Sequence, residues 1–180
     1  MQSANQHTIY TIGHSTHSFE EFIVMLNTYE IKVLADIRGL PGSNKFPQFN
    51  KENLEKTLPE NGIRYIHLEG LGGRRKVNKN SKNTRWKNDS FRSYADYMET
   101  DSFKNAIAEL ETIALQNTTA YMCAEAVYWR CHRSMVSDYL KAKGWNVIHI
   151  FSANKTEEHR YTSPARIVND EVCYYDEILF

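Results

Sequence analysis

Five short runs rich in β-branched and aromatic residues recur along the chain: HTIYTIG (7–13), KVLADI (32–37), IRYIHL (63–68), TTAYMC (118–123) and WNVIHI (145–150). The segments between them carry helical period rather than strand alternation. A strand, a crossover helix and a further strand make a βα unit, so this alternation predicts a Rossmann-like three-layer α/β fold with a mostly parallel sheet of about five strands. In SFEEFIVMLNTYE (18–30), Phe19, Phe22, Ile23 and Leu26 fall on one helical face. Ser18 stands three residues before Glu21, the spacing of a capping box. Further helices are expected at KENLEKTLPENG (51–62), from about Tyr94 to Leu115 in two pieces broken near Asp101, and at CHRSMVSDYLKAKG (131–144).

The connections are informative where they lack period. RGLPGSNKFPQFN (38–50) has two prolines and two glycines, which exclude helix and strand. Residues 74–92, RRKVNKNSKNTRWKNDSFR, form a basic insert loop, and residues 164–180 alternate weakly, as a C-terminal strap or an added strand. We expect residues 1–180 to form a single domain. Twenty-two basic residues balance twenty-two acidic ones, so the molecule as a whole is not a generic polyanion binder. The three cysteines have no paired spacing and no apolar run approaches a membrane span, from which a soluble, cytoplasmic protein without a membrane partner is expected.

In an open parallel sheet the ligand site lies beyond the carboxyl ends of the strands. There the sequence places Gly13, His14 and Ser15, then Asp36 and Arg38, then Gly70, Gly72, Gly73 and Arg74, then Cys123 and Glu125, and finally His149 and Ser152. Each expected strand end thus carries glycine or a reactive side chain. The same residues carry a family likeness: TIGHST, ADIRGLPGSNKFPQFN, LGGRRK and MCAEAVYWRCHRSM followed by GWNVIHI resemble the family called domain of unknown function 488, over residues 8–150. The resemblance implies a Rossmann-like α/β sheet and no established reaction. Where that family often has a basic residue after its aspartate and arginine, this chain has Gly42 before Ser43, with Lys45 as the substitute.

Four residues are candidates for chemistry. Glu125, just past a buried strand and near Tyr128 and Trp129, could be desolvated enough for general acid, general base or nucleophilic work, or could be a salt-bridge partner of Arg133 or Arg38. Asp36 is equally placed, with a structural pairing to Arg38 as its alternative. His14 could polarise a substrate oxygen or cap a helix. Cys131, beside His132 at a helix start, could be a nucleophile, or a small half-buried thiol like Cys123. The spacing from Cys123 to Arg130 does not fit the phosphatase loop. For an anion, the start of the helix at CHRS predicts amides of Arg133, Ser134 and Met135 aimed at the site. Arg38, Ser15, Ser43, His132, Arg133 and Ser134 would join them, together with Arg74, Arg75 and the stacking face of Trp86 from the insert.

No metal and no cofactor are expected. Short ligand spacings are missing from the sequence, and TIGHS has too few glycines for a dinucleotide fingerprint. These residues suit a hydrolase or transferase acting on a phosphorylated or nucleobase-containing substrate, a nucleotide or nucleic acid. The alternatives are a non-catalytic nucleotide or nucleic-acid binder using the same basic surface, and thiol transfer through Cys131.

Overall fold

The structure, a computed structural model, describes residues 6–176. The five apolar runs become β1 (Thr8–Gly13), β2 (Val33–Asp36), β3 (Arg64–His67), β4 (Thr119–Cys123) and β5 (Asn146–Ser152), all parallel. A sixth strand, β6 (Lys155–Glu158), adds antiparallel to β5, and the sheet order is β3-β2-β4-β1-β5-β6. The helices are α1 (Phe19–Thr28), α2 (Lys51–Glu60), α3 (Asp89–Met98), α4 (Asp101–Gln116) and α5 (Arg133–Ala142). Ser18 and Glu21 close a reciprocal capping box at α1.

The chain steps from β1 to β2 to β3 in one direction, then reverses, inserting β4 between β2 and β1 and placing β5 beyond β1. Right-handed crossovers turn that reversal into a change of face. Phe22, Leu26, Leu54 and Leu58 of α1 and α2 pack with Ile12, Leu34 and Met122 on one side. On the other, Tyr94, Phe103, Leu110 and Leu140 of α3 to α5 pack with Ile9, Ala35 and Tyr121. This is a three-layer, Rossmann-like α/β fold. All five residues of β4 are buried. The connection leaving β4 goes to the face opposite those leaving β1 and β2, so the strand ends part around β4 and open a crevice at the carboxyl edge.

Three elements differ in extent from the sequence expectation. β6, with the sequence KTEE, lacks apolar alternation because it is a mostly exposed edge strand, where charge guards against further pairing. The tail makes its own hairpin, β7 (Arg166–Val168) and β8 (Glu171–Cys173), turned by Asn169 and Asp170 at φ 51° and 60°. It straps α5, since Tyr174 is buried and donates to Asp138 Oδ2 at 2.9 Å. Of the expected insert, residues 89–92 already belong to α3, because Asn88 caps that helix by accepting from Ser90 N and Phe91 N. Among the described residues no helix is long and apolar enough to cross a membrane.

Candidate functional site at the carboxyl edge

Asp36 ends β2 with no exposed surface. Its Oδ1 accepts from Arg38 N (3.0 Å) and Nε (2.9 Å), and its Oδ2 from Arg38 Nη2 (2.6 Å) and Tyr65 OH (2.7 Å). A carboxylate with both oxygens occupied and no open face cannot reach a substrate, so Asp36 orients Arg38 instead of exchanging protons. Arg38 is held further by Phe49 O at 2.7 Å, and its Nη1 donates to His14 Nε2 at 3.2 Å. With His14 Nδ1 on Ser15 O, the imidazole is the Nδ1–H tautomer. Burial, and then the Arg38 charge, lower the His14 pKa to about 4, so the ring is neutral at physiological pH. Ser15, at φ 47°, donates its amide to Ala124 O and thereby pins the loop after β4. Ser43 lies away from the crevice and caps a turn, its Oγ accepting from Lys45 N and Phe46 N.

The loop from β4 to α5 passes directly over β1: a Cβ on Gly13 would fall 1.8 Å from Glu125 O. Glu125 is exposed, not desolvated as expected, because Tyr128 turns away to stack on His149 at 3.5 Å and Trp129 is half-exposed. Neither Arg133 nor Arg38 pairs with it. The Arg133 side chain is buried and binds the loop's backbone, Nη2 donating to Glu125 O (3.0 Å) and Ala126 O (3.3 Å). The first turn of α5 also closes on itself. Ser134 N and Oγ both donate to Cys131 O, and Met135 N donates to His132 O. The amides of Ser134 and Met135 are therefore not open to a free anion. His132 donates Nε2–H to Ile37 O at 3.1 Å, and burial above all lowers its pKa to about 4. Gly73 makes room for this ring, since a Cβ there would lie 2.5 Å from Nδ1. Cys131 faces Cys123, with the sulfurs 3.0 Å apart.

The insert divides into an inward and an outward set. Trp86 stacks on Phe91 at 4.6 Å and packs against the core of α3 to α5, so its faces serve the fold rather than a base. Arg75 lies 3.4 Å over the Tyr97 ring, Lys82 pairs with Glu99, and Arg85 with Asp176. Arg74 is exposed at the crevice. Together these elements enclose a cleft of about 340 Å³ whose lining includes Arg38, Arg74, Phe91, Cys123, Glu125 and Arg130. Arg130, although inside the same reactive stretch, was not among the residues expected at the site. The buried chain Thr11–His149–His159–Asp138, with contacts of 3.2, 2.9 and 2.9 Å, was equally unforeseen, since its members come from β1, β5, the segment after β6 and α5. Among the described residues no group of three His, Cys, Asp or Glu side chains could hold a metal ion.

Fold and cleft define a Rossmann-like α/β protein with a polar site at the carboxyl edge of its central strand. The chain belongs to the family described as Domain of unknown function DUF488, which matches residues 18–140 and so spans the sheet edge from α1 into α5. Comparison with curated proteins and with solved structures gave no match.

Proposed function

We propose that this chain is an enzyme acting on a phosphorylated or nucleobase-containing substrate held in the carboxyl-edge cleft, with Glu125 as the proton-transfer group. One observation carries the reading: Glu125, Arg74 and Arg130 line the same cleft, all are exposed, and among the described residues none has an ion-pair partner. Elsewhere on the surface opposite charges do pair, as Lys82 does with Glu99 at 3.0 Å. Two free guanidinium groups offer planar, bidentate donors for phosphate. Leu40 and Phe91 give the cleft an apolar wall for a base or sugar. Arg38, held and charge-paired by Asp36, lines the floor. The free carboxylate of Glu125 can then take or give a proton at the bond acted on.

The test is a thermal-shift titration with nucleoside monophosphates and inorganic phosphate. A ligand at a hundred times its Kd stabilises by about 2.7 kcal/mol. That stabilisation should disappear in the Arg74→Ala/Arg130→Ala double variant. Equal shifts in the double variant and the wild type would remove the two arginines, and the reading with them.

A further inference from the structure

Cys123 closes β4 and Cys131 immediately precedes the turn into α5. The short helical turn Tyr128–Arg130 folds the chain back, with Cys131 N donating to Tyr128 O, so that the two sulfurs meet at 3.0 Å. Both are free thiols, and both line the cleft. Beside them lies Arg133, 1% exposed, whose guanidinium has carbonyl acceptors for Nη2, none for Nε, and no carboxylate partner among the described residues. A buried cation without a counter-charge is costly, and a Cys123 thiolate beside it would be favoured by its charge. Cys131 also stands two residues before the first residue of α5, at the positive end of that helix.

The two thiols are not equivalent. Burial alone would push the Cys123 thiol up, but the hydrogen bond from Cys131, followed by the Arg133 charge, outweighs it and brings the pKa down to about 7. Burial and the neighbouring sulfur hold the Cys131 thiol well above its usual range. These directions favour Cys123 as the thiolate and Cys131 as the donor of the hydrogen bond between them.

We propose that Cys123 and Cys131 form an oxidisable dithiol site whose substrate is a hydroperoxide, hydrogen peroxide in the simplest case. The Cys123 thiolate attacks one peroxide oxygen and the O–O bond breaks. Cys123 becomes a sulfenic acid, and the departing hydroxide takes up the proton that Cys123 had released. Cys131 Sγ then attacks Cys123 Sγ, the S–O bond breaks, and hydroxide leaves with the Cys131 proton as a second water. In sum, two thiols and one hydrogen peroxide give one disulfide and two waters, two electrons passing from sulfur to oxygen. Closing the sulfurs from 3.0 Å to a bond of about 2.0 Å is within reach of side-chain rotation. A peroxide fits this site better than a bulkier disulfide, because Cys123 is only 2% exposed while still bordering the cleft. The proposal is independent of the nucleotide reading and needs no ligand.

The reduced full-length chain is treated with hydrogen peroxide, alkylated with N-ethylmaleimide and digested with trypsin without reductant. Trypsin cleaves after Arg130, between the two cysteines, so a disulfide appears as two joined peptides. A larger thiolate fraction at pH 7 is partly offset by the weaker nucleophilicity of a less basic thiolate, which leaves a gain of a few-fold. The joined pair should accordingly form about three times faster than Cys173 is oxidised. In Cys131→Ser, a cyclic dione should trap Cys123 as the sulfenic acid. Should that variant not fold, the wild-type peptide map decides alone. Oxidation of Cys123 no faster than Cys173, or of all three without the joined pair, overturns the proposal.

Discussion

Asp36 and Glu125 are both carboxylates one step beyond a strand end, and their surroundings give them opposite work. Asp36 is enclosed by Arg38 and Tyr65; Glu125 stands open at the cleft. Amide substitution separates the two. Asp36→Asn removes the counter-charge of a buried guanidinium and should cost about 3–5 kcal/mol, read as a fall in the urea midpoint. Glu125→Gln touches nothing buried, so its midpoint should stay within about 0.5 kcal/mol of wild type. Its turnover, once a substrate is in hand, should drop roughly 100-fold to 10,000-fold. Full activity in Glu125→Gln would end its role in proton transfer. That reactive residues gather at strand ends could be read from the sequence, because strand position follows from local pattern. Which of them pair could not. Tyr65 reaches Asp36, and Gly13 passes under Glu125, only after strands far apart in the chain come together.

At the scale of elements, β1 to β5 and the five α-helices were legible: the helices bury one face and show its period, whereas β2 and β4, buried throughout, show as short apolar runs. β6 and the β7–β8 hairpin left little rhythm because β6 is mostly exposed and the hairpin strands are short and only partly buried. The insert misleads in the other direction: its charge conceals Trp86, which belongs to the core, and the first turn of α3, which is set by one cap. Asn88 is that cap, with acceptor contacts to Ser90 N at 2.9 Å and Phe91 N at 3.2 Å. Asn88→Ala should cost about 1 kcal/mol. The loss should be local, because the frayed turn carries Ser90 and Phe91 at the cleft wall. Hydrogen exchange should speed up at those amides while β4 keeps its protection. Uniform acceleration throughout the chain would mean that α3 has no independent first turn.

The molecule as a whole is tied together by histidines that must stay neutral. His14 links β1 to Arg38, His132 links α5 to the end of β2, and His149 links β5 to Thr11 and, through His159 and Asp138, to the helix that the C-terminal hairpin straps. Burial lowers the pKa of His14 and His132 to about 4 and that of His149 to about 2, with Arg38, Arg133 and His159 contributing in turn. In the unfolded chain each would titrate near 6.5. Between those values the unfolded state binds protons that the folded state refuses, so stability rises with pH. The contribution is complete above about pH 6.5 and is lost as the pH falls toward 4, on the order of 1 kcal/mol per pH unit for each histidine. His149 remains unprotonated in the fold through the entire window, so its share of the loss continues below pH 4. Urea midpoints at pH 7.5, 6.0 and 5.0 should therefore fall steeply and reversibly over a range in which most surface carboxylates are still ionised. Replacing His132 by asparagine, which cannot be protonated, lowers stability at pH 7.5 by removing a packed ring but should flatten the slope below pH 6. A wild-type midpoint that is constant from pH 7.5 to 5.0, or an unchanged slope in His132→Asn, would show that these rings accept protons in place, and that the neutral lattice described for them is not what holds the sheet edge together.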